Sequence, residues 1–262
     1  CGSGQSTASN STDSDDITQQ TYKPGKLTIA TGQPAYEPWV MNDKPESGEG
    51  YEAAVAYAVA DKLGFKKSDV VWTRTAFDTA IAPGAKDWDF NIQQFGITDE
   101  RKKAVDFSSS YYNDSQSVVV KKDSKFANAT KVSDLKDATV GVMVGTLAYD
   151  YAKANIKDDI QTFNDDAALA QALDAGQIDV LVTSTVECVY MVQSEQVKDS
   201  KVLGRLPDSE DKSGMGIVLP KDSKLTAAVT KAVDDLNADG TIKKLQDKWL
   251  AEYTTDLTEL KK

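Results

Sequence analysis

Two hydrophobic rhythms alternate along the chain. Leu27-Thr28-Ile29-Ala30 reads as a strand, and from Gly50 to Leu63 the apolar positions Tyr51, Ala54, Val55, Ala58, Val59 and Leu63 fall at helical spacing, with Gly64 to end the helix. A strand at Val70-Val71-Trp72, a short helix from Phe77 to Ala82 stopped by Pro83-Gly84, and a strand from Trp88 to Ile92 complete a β-α-β-α-β series. Such a series predicts a parallel sheet covered by helices. The second half repeats the scheme. Thr139 to Met143 predicts a strand that passes through Val144-Gly145 into a helix from Thr146. Asn164 is placed to cap a helix over Asp165 to Asp174, whose acidic first turn suits the helix dipole and which Gly176 ends. Ile178 to Val182 predicts a strand and Thr185 to Val192 a helix.

Between the halves lies the β-type run Ser117 to Lys121, and a similar run, Gly216 to Pro220, follows the second half. Two strand connectors bracketing the second unit predict a chain that crosses into a second lobe and returns. Helices from Lys224 to Leu236 and from Thr241 to Leu250, broken at Asp239-Gly240, then pack on the first lobe. The expected organisation is a tether over 1–25, a first lobe from 26–115 plus 221–262, and a second lobe over 116–220 with crossing strands at its ends. In such a two-lobed α/β chain the cleft between lobes collects the carboxyl ends of strands from both sides, which makes it the expected place for a ligand.

Composition narrows the chemistry. The 262 residues suffice for two lobes of roughly 100 residues, each with its own core. There is no histidine, so Ser-His-Asp, Cys-His and His-zinc arrangements are excluded, and two distant cysteines cannot form a thiolate cage; no metal and no cofactor are expected. A net charge of −11 disfavours nucleic acid. No apolar run approaches the ~20 residues of a membrane-spanning helix. Gln5 to Gln20 holds almost nothing but Ser, Thr, Asn, Gln and Asp, the composition of a flexible tether. A tether headed by Cys1 resembles that of a processed bacterial lipoprotein, which makes Cys1 the expected lipidation site, on the outer face of the cell membrane. Cys188, between Val186, Val189 and Met191, reads as an inert core thiol.

The run Gly96-Ile97-Thr98-Asp99-Glu100-Arg101-Lys102-Lys103-Ala104-Val105-Asp106-Phe107-Ser108, followed by Tyr111-Tyr112, closely resembles a motif of the polar amino-acid family of extracellular solute-binding proteins of ABC importers. Further landmarks recur in order: Tyr36-Glu37-Pro38-Trp39, Gly50-Tyr51-Glu52, Val140-Gly141-Val142 with Gly145-Thr146, Gly240-Thr241, and Lys248-Trp249. The resemblance implies an α/β, two-lobed periplasmic-binding-protein-like (Venus flytrap) fold with two crossing β-strand hinges. It also implies a monomer that carries a small carboxylate solute to an ABC permease and its ATPase, without chemistry of its own. By the same resemblance Arg101 clamps the ligand carboxylate, and backbone N–H groups at Thr146 and Leu147 meet it from the second lobe. A guanidinium is a rigid donor fork matched to a carboxylate, and a helix start favours an anion, so the residue types suit these roles. Tyr36 and Phe77 match positions that flank the ligand side chain, with Trp39 and Trp72 as nearby alternatives.

The pattern also departs from the family. Gly96 stands where a hydroxyl residue usually bonds the carboxylate, while Gln93 and Gln94 bring amides to the same loop. Ser184 occupies the position usually given to an Asp that binds an α-ammonium, which leaves Glu187 and Glu37 as the nearest acids to take over. Two rival functions are an enzyme of dehydratase or lytic type working through Glu37, Glu52 or Glu187, and a sensory lipoprotein that keeps the fold.

Overall fold

The computed structural model describes residues 16–262. Cys1 and the tether up to residue 15 lie outside the described residues. The chain divides into two compact units, one comprising the described part of Cys1–Tyr112 with Ser213–Trp249, the other Asn113–Lys212 with Leu250–Lys262. Each is an α/β unit around a five-stranded sheet.

In unit 1 the strands β1 (Leu27–Thr31), β2 (Val70–Arg74), β3 (Phe90–Asn91), β4 (Val105–Tyr112) and β10 (Met215–Pro220) lie in the order β2-β1-β3-β10-β4. β1 pairs in parallel with β2 and β3, as the β-α-β-α-β reading requires, but β10 runs antiparallel between β3 and β4. The sheet is therefore mixed rather than parallel, and the Gly216–Pro220 run expected to bound the second lobe is a full member of the first unit's sheet. Its helices are α1 (Tyr51–Lys62), α2 (Phe77–Ala80), α3 (Asp99–Lys102), α7 (Thr226–Ala238) and α8 (Thr241–Trp249). α1 buries Tyr51, Val55 and Val59 completely. Tyr51 packs edge-on against Trp39 and Tyr112, with ring centroids 6.1 and 5.8 Å away.

The segment before β1 corrects the expected tether boundary. Residues from Asp16 onward are folded: the Asp89 carboxylate accepts from Tyr22 N at 2.7 Å and from Thr28 N at 2.7 Å, and Thr21 is buried. One buried acid with two oxygens ties the entering chain to the first strand.

Unit 2 contains β5 (Gln116–Lys121), β6 (Val140–Met143), β7 (Gln161–Phe163), β8 (Val180–Ser184) and β9 (Ser200–Arg205) in the order β7-β6-β8-β5-β9. β7, β6 and β8 are parallel, while β5 runs antiparallel to both β8 and β9. The helices are α4 (Leu147–Asn155), α5 (Asp166–Asp174), α6 (Thr185–Gln193) and α9 (Ala251–Thr254). α5 is capped by Asp165, which accepts from Ala168 N at 2.7 Å, not by Asn164. Cys188 is fully buried, its thiol directed at Thr183 O and pushed up by burial. Among the described residues no helix is long and apolar enough to cross a membrane, and no group of three or more His, Cys, Asp or Glu is placed to hold a metal ion.

The carboxy-terminal segment also departs from expectation. Leu250–Lys262 belongs to unit 2 rather than to the first lobe. Arg205 N donates to Thr258 O at 2.7 Å, Leu260 N donates to Arg205 O at 2.8 Å, and buried Leu260 joins the core of Val118, Val140 and Leu203. Gly204 permits that approach, because a Cβ there would stand 2.7 Å from Thr258 O.

Candidate functional site

In unit 1 the expected residues gather where the parallel strands β1, β2 and β3 end. Thr98 begins α3: its hydroxyl accepts from Arg101 N at 3.1 Å, and Asp99 and Glu100 fill the first turn. The helix is a single turn, so Arg101 stands close to its start. Its guanidinium donates from Nη1 to Gly96 O at 2.7 Å and lies 5.4 Å from the Phe77 ring centroid. Phe77 in turn stacks on buried Phe95, centroids 4.7 Å apart. Burial lowers the Arg101 pKa, and nearby Asp78 acts in the opposite direction. Arg101 stays charged nonetheless, and among the described residues no carboxylate is ion-paired with it. The structure thus brings Phe77, Gly96 and Arg101 together. A Cβ on Gly96 would meet Arg101 Nη1 at 3.5 Å, ordinary contact, so the missing hydroxyl is a chemical rather than a steric difference.

Tyr36 is 54% exposed on the loop after β1, its carbonyl accepting from Trp39 N and Val40 N at 3.0 and 2.9 Å. A brace that sequence reasoning missed holds this loop. Arg74 at the end of β2 donates to the Asp43 carboxylate, to Asp43 O at 2.8 Å and to Gly32 O at 2.8 Å, and Asp43 also accepts from Ala35 N. The Arg74 bond, with the Ala35 N–H, holds the Asp43 carboxyl below its ordinary pKa. Trp39 is core, packed on Tyr51 and Tyr112, and Trp72 donates to the Tyr57 hydroxyl at 3.0 Å.

The two glutamines part company. Gln93 lies against Gly32, where a Cβ would stand 2.7 Å from its Nε2, and its Oε1 is buried without a hydrogen-bond partner. Gln94, whose amide the sequence offered as a candidate to donate or accept for a ligand, spends it on a carboxylate of its own unit. Its Nε2 and its backbone N both donate to the Glu52 carboxylate, the latter at 2.8 Å, and its backbone is left-handed at φ 54, which costs a non-glycine residue about 1 kcal/mol. Glu52 is fully buried and also accepts from the Tyr111 hydroxyl; burial raises its pKa to about 7, with its three donors opposing the rise. This enclosure removes Glu52 from any role as an acid or base touching a substrate. The Gly50-Tyr51-Glu52 motif was visible in the sequence, but not that its carboxylate faces Gln94.

In unit 2 the candidates again cluster at the ends of parallel strands. β6 runs through Val144 and Gly145, with φ 73 at the glycine, to Thr146. Thr146 is the N-cap of α4: its hydroxyl donates to Met143 O at 2.7 Å and accepts from Tyr149 N at 3.2 Å. The backbone N–H groups of Thr146 and Leu147 have no acceptor among the described residues, as the start of a helix dictates, and Leu147 is 47% exposed.

Ser184 ends β8 and precedes α6 without a side-chain cap bond. Around it lie acids that the sequence only partly disclosed. Glu187 sits in the first turn of α6 rather than on a solvated face: burial, then Asp166 and Asp114, push its pKa up to about 8. Asp166, in the first turn of α5, is raised to about 6 by burial, and its carboxylate accepts from the Thr183 hydroxyl at 3.4 Å. Asp114 accepts from Ser115 N at 2.8 Å and Val186 N at 3.3 Å. No Lys or Arg among the described residues is ion-paired with Asp166 or Glu187. Acids desolvated together without a cation hold their protons more tightly than free carboxylates, and a positive group beside them favours the ionised forms. The acidic start of α5 signalled Asp166 in the sequence, where dipole matching was explanation enough. Glu37, by contrast, accepts from Asn42 N at 3.2 Å within the Tyr36 loop.

Known proteins bear on these two constellations. The L-cystine-binding protein of Escherichia coli strain K12 is 29% identical over 223 residues, 84% of this chain and 81% of that one. The L-arginine-binding protein of Pseudomonas aeruginosa is 28% identical over 245 residues, covering 87% and 88%. An ancestral arginine-binding protein, solved bound to arginine, superposes with a TM-score of 0.65 at 31% identity over 86% of this chain and 98% of that one. The profile of the bacterial extracellular solute-binding proteins, family 3, matches residues 27–252, and the chain belongs to that family.

Proposed function

We propose that this chain is the solute-binding component of an ABC importer, that it captures an amino acid through both charged groups of the zwitterion, and that it delivers it to a membrane permease driven by an ATPase. The observation that carries the reading is one of charge. Among the described residues, unit 1 holds a guanidinium with no carboxylate ion-paired to it, and unit 2 holds two desolvated carboxyls with no cation ion-paired to them. In this proposal Arg101 takes the solute carboxylate, and the Thr146 and Leu147 N–H groups are the anion donors that unit 2 offers. Asp166 and Glu187 take the ammonium in place of the acid missing at Ser184, and Tyr36 and Phe77 flank the side chain. Similarity to proteins named for cystine and arginine supports an amino-acid solute.

A thermal-shift screen tests this with the amino acids and with matched compounds lacking either the amine or the carboxylate. A true ligand at 100 times its Kd adds about 2.7 kcal/mol of stability and a clear rise in Tm. Both truncated compounds are expected to lose that rise, and Arg101→Ala is expected to abolish binding of every carboxylate. Wild-type affinity in Arg101→Ala removes Arg101 from the site, and recovery of the ligand chemically altered after incubation replaces the carrier with an enzyme.

A further inference from the structure

We propose that Glu52 is the positioning residue for Arg101, its buried carboxylate fixing Gln94 and, through it, the Phe95-Gly96 segment on which the guanidinium rests. The relevance to solute capture rests on the reading that Arg101 meets the solute carboxylate, but the positioning itself lies within unit 1. Three links compose it. Glu52 gathers Gln94 N, Gln94 Nε2 and the Tyr111 hydroxyl, and so holds a left-handed glutamine that has no glycine's freedom. The next residue, Phe95, is fully buried and stacks on Phe77, beneath the guanidinium. The residue after that, Gly96, supplies the carbonyl that accepts from Arg101 Nη1.

Protonation tests the links in order. The titratable groups facing Glu52 are the Tyr111 phenol from β4 and the Tyr51 phenol from α1 itself; Tyr51 donates to Tyr111 O and receives Gln246 Nε2 of α8 at 3.4 Å. No Lys or Arg among the described residues is ion-paired with Glu52. Ionised, the carboxylate accepts all three donors. Protonated, one oxygen turns donor; the Tyr111 hydroxyl accepts as readily as it donates, and in this proposal the proton sits on the oxygen facing Gln94 Nε2, so that the Gln94 amide turns over to restore the match. With the Glu52 pKa raised to about 7, the exchange falls within an accessible range.

Phenylglyoxal provides a readout that needs no solute. The chain has three arginines, Arg74, Arg101 and Arg205, so peptide mass spectrometry of the labelled full chain yields the Arg101 rate relative to Arg205 in one sample. In the wild type that ratio is expected to change by about threefold or more between about pH 6 and pH 8, and Glu52→Gln, which mimics the protonated acid, is expected to hold the low-pH ratio throughout. A ratio that is flat with pH in the wild type overturns the proposal, as does one that changes identically in a folded Glu52→Gln. If that variant does not fold, the wild-type profile alone decides. Because no ligand enters, the outcome is separate from that of the Arg101→Ala binding test.

Discussion

At the scale of single residues, Asp166 and Glu187 make the solute's charge measurable without knowing its identity. With pKa values raised to about 6 and about 8, the pair is partly protonated near neutrality. A cation placed beside them favours the charged forms and lowers both values, so binding expels protons. Titration calorimetry near pH 7 in two buffers of different ionisation enthalpy should therefore report net proton release on binding of an amino acid that the screen identifies. Glu187→Gln should reduce that release. Affinity should rise with pH across the interval from about 6 to about 8, as the acids ionise ahead of the ligand. Zero proton exchange would mean that the ammonium goes elsewhere. The sequence disclosed the substitution at Ser184 and the proximity of Glu187 in number, but not its neighbour Asp166, 21 residues away in sequence, whose charge adds to burial in raising the Glu187 pKa.

At the scale of elements, the site depends on strands that deliver loops at fixed points. β6 delivers Thr146, and it crosses the unit 2 core at Gly141, where a Cβ would stand 2.6 Å from Ile178 Cδ1, 3.0 Å from Leu169 Cδ1 and 3.1 Å from Phe163 Cε2. Three side chains cannot all retreat in a core packed at crystal density, so Gly141→Ala should cost about 1–3 kcal/mol, seen as a lower urea midpoint at unchanged slope. A midpoint within experimental scatter of the wild type would show that the core yields. The same elements reveal how far hydrophobic rhythm reaches. β1, α1, β6 and α5 were legible because burial repeats at the period of the element. β4 was not: along Val105–Tyr112 burial falls at Val105, Ser108, Tyr111 and Tyr112 rather than at alternate positions, and register shifts against β10 break the alternation. β9 is an edge strand with a register shift of its own, and β7 spans three residues. Neither presents enough period to be read.

At the scale of the whole molecule, the two units were anticipated but their membership was less so, because a strand such as β10 and a tail such as 250–262 are assigned by pairing partners distant in sequence. Both units share one electrostatic property. Glu52 in unit 1 and Asp166 and Glu187 in unit 2 each hold a proton more tightly folded than unfolded, chiefly through burial. From the ordinary carboxylate range up to about pH 8, the unfolded chain has released protons that the folded chain still binds, so stability falls as pH rises. Asp43, Asp174, Asp208 and Asp239 are shifted the other way by their hydrogen-bond and cationic partners, and their contribution is present above the ordinary range and lost as pH falls through it. The two sets together place the stability maximum of the solute-free chain on the acid side of neutrality, near pH 5. Scanning calorimetry should record a Tm that declines from about pH 5 to pH 8, and the triple variant Glu52→Gln, Asp166→Asn, Glu187→Gln should flatten that limb while leaving the acid limb in place. A Tm that is level or rising over the interval in the wild type would mean that these three acids are ionised in the folded chain, which would also deprive solute binding of its proton release.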